Sequence, residues 1–229
     1  MDLQRTVPWG RDFDEYSEMF DLSSLETGDT VLGCGDGPAS FNAEATEKGI
    51  CVTSVDPLYA YSRADIQQRI HETRDEVMPQ VRARVEDYVW CSIESPDELE
   101  RRRMQAMDAF LHDYEEGCRT GRYMKGSLPT LSFTDNAFDY ALCSHLLFLY
   151  SPQLDEQTHI ESILELCRVA RDVRIYPLIS IENNERSQHL SAVFSALTEA
   201  EYVYEEVPVS YEFQRGAKTM LKISAMRQR

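Results

Sequence analysis

The order of the predicted elements indicates an α/β fold in which a doubly wound, mostly parallel seven-stranded sheet carries a helical insertion. Three observations lead to this prediction. A short apolar strand runs into a glycine-rich turn and a helix, the next strand ends at an acidic residue, and strand and helix signals alternate again after a long helical stretch. Two strand-like segments close the chain, and their proximity predicts an antiparallel pair at the sheet edge.

The predicted elements form a single domain over residues 1–229. They are a helix over 11–25 within an N-terminal helical cap of about 1–25, a strand over 30–32, a helix over 39–48, a strand over 50–55, helices over 63–90 and 95–117, strands over 122–124 and 138–144, a helix over 154–168, a strand over 173–179, a helix over 187–200, and strands over 202–209 and 219–225.

Punctuating residues set the limits of the first β-α-β unit. Its first strand continues into the turn GCGDGP at 33–38, and Gly49 stops the helix that follows. The second strand ends at Asp56-Pro57, because proline cannot continue a hydrogen-bonded ladder. A unit of this kind makes its two strands parallel.

Two helices between the second and third strands form the predicted insertion, over about 63–118. The first is expected to bend at Pro79. The second begins cleanly, with Ser95-Pro96 at its start and Glu98 completing a capping box, and is expected to end at Gly117. Together they add roughly 55 residues, far more than an ordinary connection.

Composition and charge disfavour several classes of function. The chain of 229 residues carries 40 Asp and Glu against 23 Lys and Arg, a formal net charge of −17. An acidic surface disfavours phosphate backbones and anionic membranes, so neither nucleic acid nor a membrane is an expected partner. No apolar run is long enough to span a bilayer, and the first residues lack the apolar centre of a signal peptide, so we expect a cytoplasmic protein.

Cysteine and histidine spacing indicates neither a disulfide framework nor a metal site. The six cysteines are scattered without a C-x-x-C pair. No group of His, Asp and Glu has metal-ligand spacing, so no metal is predicted. Cys34 lies inside the glycine turn, where a reactive thiol is conceivable, but a small side chain in a tight turn is the simpler interpretation.

The residues of the glycine turn discriminate among the ligands that such turns bind. A dinucleotide fold uses G-x-G-x-x-G, whereas the sixth position here is Pro38, which has no N–H for a phosphate. A P-loop is excluded because no G-K-[ST] follows. A ligand that approaches the backbone closely without a pyrophosphate fits better, and S-adenosylmethionine is one such ligand. Asp56, about 20 residues further on, is placed to accept two ribose hydroxyls, although an Asp-Pro pair also starts ordinary turns.

Four segments carry a resemblance to a known family. VLGCGDGPASF resembles the first motif of class I S-adenosylmethionine-dependent methyltransferases, and SVDPLY resembles their acidic second motif. LPTLSFTDNAFDYALCSHLLFLYS is similar to the stretch that leads into the fourth strand, and HIESILELCRVARDVRIYPL to the next helix and strand. Over most of residues 25–180, the chain is similar to an uncharacterised bacterial branch of this family. The resemblance implies a Rossmann-like methyltransferase fold, methyltransferase activity, and S-adenosylmethionine as cofactor with S-adenosylhomocysteine as product.

The resemblance also implies which residues hold the cofactor. They are Arg11, Tyr16, Gly33, Cys34, Gly35, Asp36, Gly37, Asp56, Pro57, Leu58, Ser127, Leu128, Ser144 and His145. The chain departs from the family pattern at three places. Val31 stands where the family has an acidic residue, so Arg11 is the candidate for the cofactor carboxylate. Ser127 and the Leu128 amide stand where the family has an adenine-binding Asp, and residues 170–172 replace a Gly-Gly pair, which we expect to alter only a turn.

The chemistry of methyl transfer requires few catalytic groups. Transfer from a sulfonium is an in-line displacement, in which the protein mainly aligns the reactants and excludes water. His145, just after the fourth strand, is the best candidate for a catalytic base, but the favoured interpretation is that it lines the cofactor pocket through its backbone. The apolar run 146–150 forms either a wall of the acceptor pocket or packing between sheet and helix. The cluster Arg101-Arg102-Arg103 is expected to form solvated ion pairs.

By elimination, a small molecule is the expected methyl acceptor, and the sequence leaves the oligomeric state open. The inserted helices are expected to form a lid over the acceptor pocket. Two other functions compete with methyl transfer. One is a protein that binds S-adenosylmethionine or S-adenosylhomocysteine without transfer activity, which Val31 and the missing adenine-side acid favour. The other is a nicotinamide-dependent oxidoreductase, which Pro38 disfavours.

Overall fold

The computed structural model of the protein describes residues 7–225, so the first six residues of the predicted N-terminal cap lie outside the described part. Seven strands form one sheet with the order β3-β2-β1-β4-β5-β7-β6. The strands are β1 (Thr30–Cys34), β2 (Cys51–Val55), β3 (Tyr123–Met124), β4 (Phe138–Ser144), β5 (Ala170–Tyr176), β6 (Tyr202–Pro208) and β7 (Thr219–Ala225). The first five run parallel, and β7 pairs antiparallel with both β5 and β6. The predicted fold class is confirmed.

Six α-helices accompany the sheet in the described part of the chain. They are α1 (Phe13–Phe20), α2 (Phe41–Glu47), α3 (Arg63–Ala83), α4 (Pro96–Arg119), α5 (Glu156–Val169) and α6 (Leu190–Glu199). None of them combines the length and hydrophobicity that crossing a membrane requires.

Two apolar cores lie on opposite faces of the sheet, because side chains alternate along each strand. Val31 of β1 belongs to the core that contains Phe20 of α1 and Phe41 of α2. Its neighbour Leu32 belongs to the core that contains Leu166 of α5, together with residues of α6. Helices therefore cover both faces, as expected for a doubly wound sheet.

The strand order reverses at β1, which pairs with β2 on one side and with β4 on the other. Ligands of open α/β sheets bind at such a reversal, in the crevice outside the carboxyl ends of the strands. Here that crevice lies beyond Cys34, Val55 and Ser144, the last residues of the three strands.

The insertion differs from its prediction at three points. Helix α3 ends at Ala83, well before Trp90; Pro79 lies inside the helix, and the bend expected there stays a prediction. Helix α4 begins as predicted, with the Ser95 hydroxyl accepting the Glu98 N–H at 3.2 Å, but the Glu98 carboxylate pairs with Arg101 instead of completing a capping box.

Gly117 does not end α4, which runs on to Arg119. A β-carbon at Gly117 would overlap the ring of Tyr123. The glycine therefore serves close packing between α4 and β3, and its use as a stop signal was the wrong interpretation.

Strand β5 begins three residues earlier than the predicted 173–179 and ends before Pro177. Ala170 pairs with Phe138 of β4, and Asp172 pairs with both β4 and β7. The expectation that residues 170–172 form a turn is wrong, because α5 leads directly into the strand at Val169. The missing Gly-Gly pair thus changes where the strand starts.

The arginine cluster is not a set of solvated ion pairs. Arg103 is fully buried and forms a two-point ion pair with Glu15 of α1, which is also fully buried. Arg102 reaches Asp12 at 2.7 Å, and only the pair of Arg101 with Glu98 is solvated as predicted. Sequence periodicity could not reveal this, because Glu15 lies 88 positions away from Arg103.

Candidate active site

A cavity of about 770 Å³ opens at the carboxyl ends of β1, β2 and β4. Thirteen of the fourteen residues assigned to the cofactor line it: Arg11, Tyr16, Cys34, Gly35, Asp36, Gly37, Asp56, Pro57, Leu58, Ser127, Leu128, Ser144 and His145. Gly33 lies within β1, and a β-carbon there would overlap the Asp36 carboxylate. Gly33 therefore supports the turn without lining the cavity.

The turn after β1 needs glycine at Gly35 for two reasons. Its backbone φ is 74°, a left-handed conformation that other residues rarely adopt. A β-carbon there would also lie 2.5 Å from the Leu146 side chain. The Gly35 N–H donates to the Val55 carbonyl at 2.9 Å, which fixes the turn against the end of β2.

Asp56 follows β2 and faces this turn. One carboxylate oxygen accepts the Leu58 N–H at 2.7 Å, and the other accepts the Gly37 N–H at 3.0 Å. Burial raises the pKa of Asp56, whereas these two hydrogen bonds lower it. Because each carboxylate oxygen has capacity for a second hydrogen bond, the group can accept two neighbouring hydroxyls from a ligand.

A second carboxylate, that of Asp36, lies within the turn. It accepts hydrogen bonds from the Tyr16 hydroxyl at 2.9 Å and from the Ser54 hydroxyl at 2.6 Å. Burial raises the pKa of Asp36 to about 6, although both hydrogen bonds lower it and Asp56 adds to the rise. Tyr16 therefore acts on the cavity through Asp36. The expectation that it contacts a ligand directly stays a prediction.

Arg11 brings a positive charge to the cavity wall from the segment before α1. One of its terminal nitrogens donates to the Trp9 carbonyl at 3.2 Å. Its Nε is buried and has no hydrogen-bond partner within residues 7–225. A buried donor without a partner is costly, so this nitrogen is suited to an anionic group of a ligand.

His145 occupies the end of β4 in a left-handed conformation, with φ of 53°. The backbone N–H of His145 donates to the Tyr176 carbonyl at 2.7 Å, and the imidazole Nδ1 lies 2.9 Å from the Ser144 hydroxyl. Burial, together with the charges of Arg11 and Arg103, lowers the pKa of His145 well below its usual value. The imidazole is therefore neutral at physiological pH and adds no positive charge to the cavity.

Cys34 is buried at the end of β1, and burial raises the pKa of its thiol well above the usual value. A neutral buried thiol is a poor nucleophile. No group of three or more His, Cys, Asp or Glu side chains within residues 7–225 is arranged to hold a metal ion.

In two segments of the cavity wall, the sequence analysis missed individual lining residues. One precedes α1 and contributes Trp9. The other is the first half of α3, where Asp65, Gln68, Arg69 and Glu72 line the cavity at the spacing of one helical face. That spacing is visible in the sequence, but a polar helical face is normally read as solvated. Helix α4 packs behind α3, so α3 is the part of the insertion that covers this cavity.

Solved structures with the same fold are S-adenosylmethionine-dependent methyltransferases. Magnesium protoporphyrin IX methyltransferase from Synechocystis PCC 6803, with S-adenosylmethionine bound, matches at a TM-score of 0.51 and 11% identity over 93% of this chain and 78% of its own. A TehB-like S-adenosylmethionine-dependent methyltransferase from Corynebacterium glutamicum matches at 0.51 and 11% over 93% and 88%. The chain thus has the class I methyltransferase fold, as the sequence resemblance implied.

A relative of similar length is known as well. The uncharacterized protein MJ0045 of Methanocaldococcus jannaschii is 30% identical over 224 residues, which cover 97% of this chain and 98% of the relative. The chain belongs to the family of that protein. No protein-family model matches the chain. Placement in a bacterial branch stays a prediction.

Proposed function

We propose that this protein is an S-adenosylmethionine-dependent methyltransferase that acts on a small molecule. The observation that carries the proposal is the position of the Asp56 carboxylate, which is hydrogen-bonded to the glycine turn and lines the cavity at the strand reversal. The net charge of −17 supports a small acceptor over a nucleic acid.

The cavity residues fit the cofactor at three points. Asp56 would hold the ribose hydroxyls, and Gly35 would let the turn pack against Leu146 beside the nucleoside, where a side chain at position 35 would displace Leu146. The partnerless Nε of Arg11 would take the carboxylate of the methionine end. Ser127 and Leu128, which follow β3 and line the cavity, would take the adenine.

The cofactor supplies an electrophilic methyl group on a positively charged sulfur. The chain's own contribution is to align the acceptor and to exclude water, for which the apolar Leu146 and Leu147 form a wall beside the glycine turn. The lowered pKa of His145 keeps its imidazole uncharged next to a cationic ligand. A neutral imidazole can also accept a proton from an acceptor hydroxyl or amine.

A protein that binds the cofactor without transferring its methyl group is the second candidate. Val31, which stands where the family has an acid, is fully buried in the core beneath the sheet and cannot contact a ligand. The low pKa of His145 likewise makes it a weak base. These two observations favour the binding-only function.

Calorimetry with S-adenosylmethionine and S-adenosylhomocysteine tests the cofactor proposal. Wild-type protein should bind both at one site, and Gly35→Val should bind neither because the new side chain would displace Leu146, which lines the cavity. The far-UV circular dichroism of the variant should match wild type. Equal binding by both proteins, or a larger rise in melting temperature with NAD than with S-adenosylmethionine, would contradict the proposal.

The formation of S-adenosylhomocysteine with a panel of small acceptors then separates transfer from binding alone. Binding without turnover on any acceptor supports the binding-only function. His145→Ala resolves the role of the imidazole: turnover lost at unchanged cofactor affinity indicates a base, and weakened affinity indicates pocket lining.

A further inference from the structure

A second, smaller cavity of about 100 Å³ adjoins the first. Trp9, Arg11 and His145 line both cavities, so these side chains stand at the junction between them. Its walls come from the segment before α1, from both inserted helices, from the stretches that follow β4 and β5, and from the loop between β6 and β7. Elements distant in sequence thus converge on a chamber next to the proposed cofactor site.

Aromatic and aliphatic side chains form most of this chamber. Phe213 stacks on Tyr88 with ring centroids 4.8 Å apart, and both rings line it. Val81 of α3 and Leu99 of α4 close it from the insertion. Aromatic walls favour a flat ring as the occupant, through stacked or edge-on contacts.

Arg11 and His145 lie at the junction with the first cavity, where the carboxylate of the cofactor is the proposed partner of Arg11. Polar side chains further inside the chamber are paired with protein groups. The Asp87 carboxylate forms an ion pair with Arg84 at 2.6 Å. Gln214 donates its amide N–H to Asn184 at 2.6 Å. A charged ligand group would therefore lose its hydration without gaining a free counter-ion in the interior, which disfavours ions.

The size of the chamber limits its occupant. An apolar cavity of about 150 Å³ accommodates benzene in a well-studied engineered protein. At about 100 Å³ this chamber is smaller than that cavity, so a single ring fits only if its substituted edge projects through the junction into the first cavity. A macrocycle or a polymer does not fit.

We propose that the methyl acceptor is a small uncharged aromatic or heteroaromatic molecule, whose ring occupies this chamber and whose hydroxyl, amine or thiol group faces His145 at the junction. The proposal rests on the proposed methyltransferase function. In the reaction, a lone pair of the acceptor heteroatom forms the bond to the methyl carbon as the carbon–sulfur bond breaks. The electron pair of that bond stays on sulfur, which becomes a neutral thioether, and the acceptor proton passes to His145 and then to water.

Binding of phenol to protein saturated with S-adenosylhomocysteine tests the chamber without any turnover. Ligand-observed NMR should show phenol binding to wild type. Val81→Phe fills the chamber and should weaken phenol binding at least tenfold. Val85→Phe is the matched control, because the same change one turn further on falls on a side chain that is 41% exposed, and it should leave phenol binding unchanged.

Two further arms make the outcome decisive. Ile181→Phe blocks the chamber from a different wall and replaces Val81→Phe if that variant does not fold. Benzoate and benzylamine, the anionic and cationic counterparts, should each bind at least tenfold more weakly than phenol. Phenol binding that persists in the folded filled variants, absent phenol binding in the wild type, or tighter binding of a charged ring would overturn the proposal.

Calorimetry of S-adenosylhomocysteine on the same samples separates the two proposals. If wild-type protein binds this compound but not phenol, the proposed methyltransferase function stands and the proposal that the chamber binds an aromatic acceptor fails. If the compound does not bind at all, the proposed function fails, and the acceptor assignment fails with it.

Discussion

The floor and the roof of the larger cavity are held together by different forces. The floor is the glycine turn at 33–38 with the ends of β2 and β4. The roof is the segment 7–20 with α3, and α4 packs behind α3. In the floor, backbone N–H groups meet carbonyl and carboxylate oxygens of the adjacent strand, as between Gly37 and Asp56. In the roof, Arg103 of α4, Glu15 of α1 and Tyr211 form a buried cluster of charged and polar groups.

Because of this difference, we expect the floor to determine ligand affinity and the roof to determine the stability of the folded protein. The floor presents the proposed ligand-binding groups, whose positions follow from the register of parallel strands, with Gly33 opposite Ser54 and Cys34 opposite Val55. Packing of the roof depends on the buried ion pair between Arg103 and Glu15. Desolvation of both charges opposes this packing, so the pair must have good hydrogen-bond geometry to offset the cost. Changes in the floor should therefore alter affinity, and changes in the roof should alter stability.

The largest expected effect is on stability and comes from Glu15→Gln. The variant leaves the fully buried Arg103 guanidinium without its counter-ion, which typically costs about 3–5 kcal/mol. Urea denaturation should show this loss in the free energy of unfolding. A loss below about 1 kcal/mol would mean that the ion pair does not hold the roof.

An apolar replacement of the cluster is the matched control. The triple variant Glu15→Leu/Arg103→Met/Tyr211→Phe removes all three polar groups together and should lie close to wild type in stability, because buried ion pairs exchanged for well-packed apolar residues are often neutral or better. S-adenosylmethionine affinity should be retained in it.

The second-largest expected effect is a loss of folding stability at low pH through the Glu15–Arg103 ion pair. Burial alone would raise the pKa of Glu15, but the Arg103 guanidinium outweighs it and lowers the pKa to about 2 from the ordinary 4.5. The stability that this pair contributes is complete above pH 4.5 and is lost as the pH falls towards 2, by about 3 kcal/mol in total. The free energies of unfolding of wild type and the triple variant should diverge over this window, because only wild type carries the titrating Glu15 carboxylate. Parallel curves would contradict the depressed pKa.

In the floor, Asp56→Ala should weaken S-adenosylmethionine binding by about 2–3 kcal/mol, because it removes charge-assisted hydrogen bonds to the ribose. Calorimetry measures the change. Asp65→Ala is the matched control, since Asp65 lines the same cavity from the roof and its carboxylate caps α3 through Ser62. Equal losses of S-adenosylmethionine affinity in the two variants would contradict the expectation that the floor, and not the roof, determines affinity.

The smallest expected effect is a pH dependence of affinity through Asp36. Its pKa is raised to about 6 by burial, so the carboxylate ionises between pH 5 and 7 and then attracts a cationic ligand. S-adenosylmethionine affinity should rise severalfold across this interval, and Asp36→Asn should abolish the rise. A dependence that persists in Asp36→Asn would assign it to another group.

The comparison also explains which predictions succeeded. The bounds of β4 and β7 were predicted to the residue, because each is a continuous β-rich run that follows a polar turn. The start of β5 was missed, because the helical and strand patterns meet at Val169 without a turn signal. The buried state of Arg103 was missed, because three consecutive arginines on an acidic helix match the pattern of a solvated face.

The sequence by itself determined the floor, since the glycine turn and Asp56 lie within residues 30–58 and their contacts span as few as 19 positions. Local backbone preferences and strand pairing suffice to place such groups. Only the tertiary structure decided the roof and the second chamber. Glu15 meets Tyr211 across 196 positions, and whether a charge is buried or solvated depends on which distant segments pack around it.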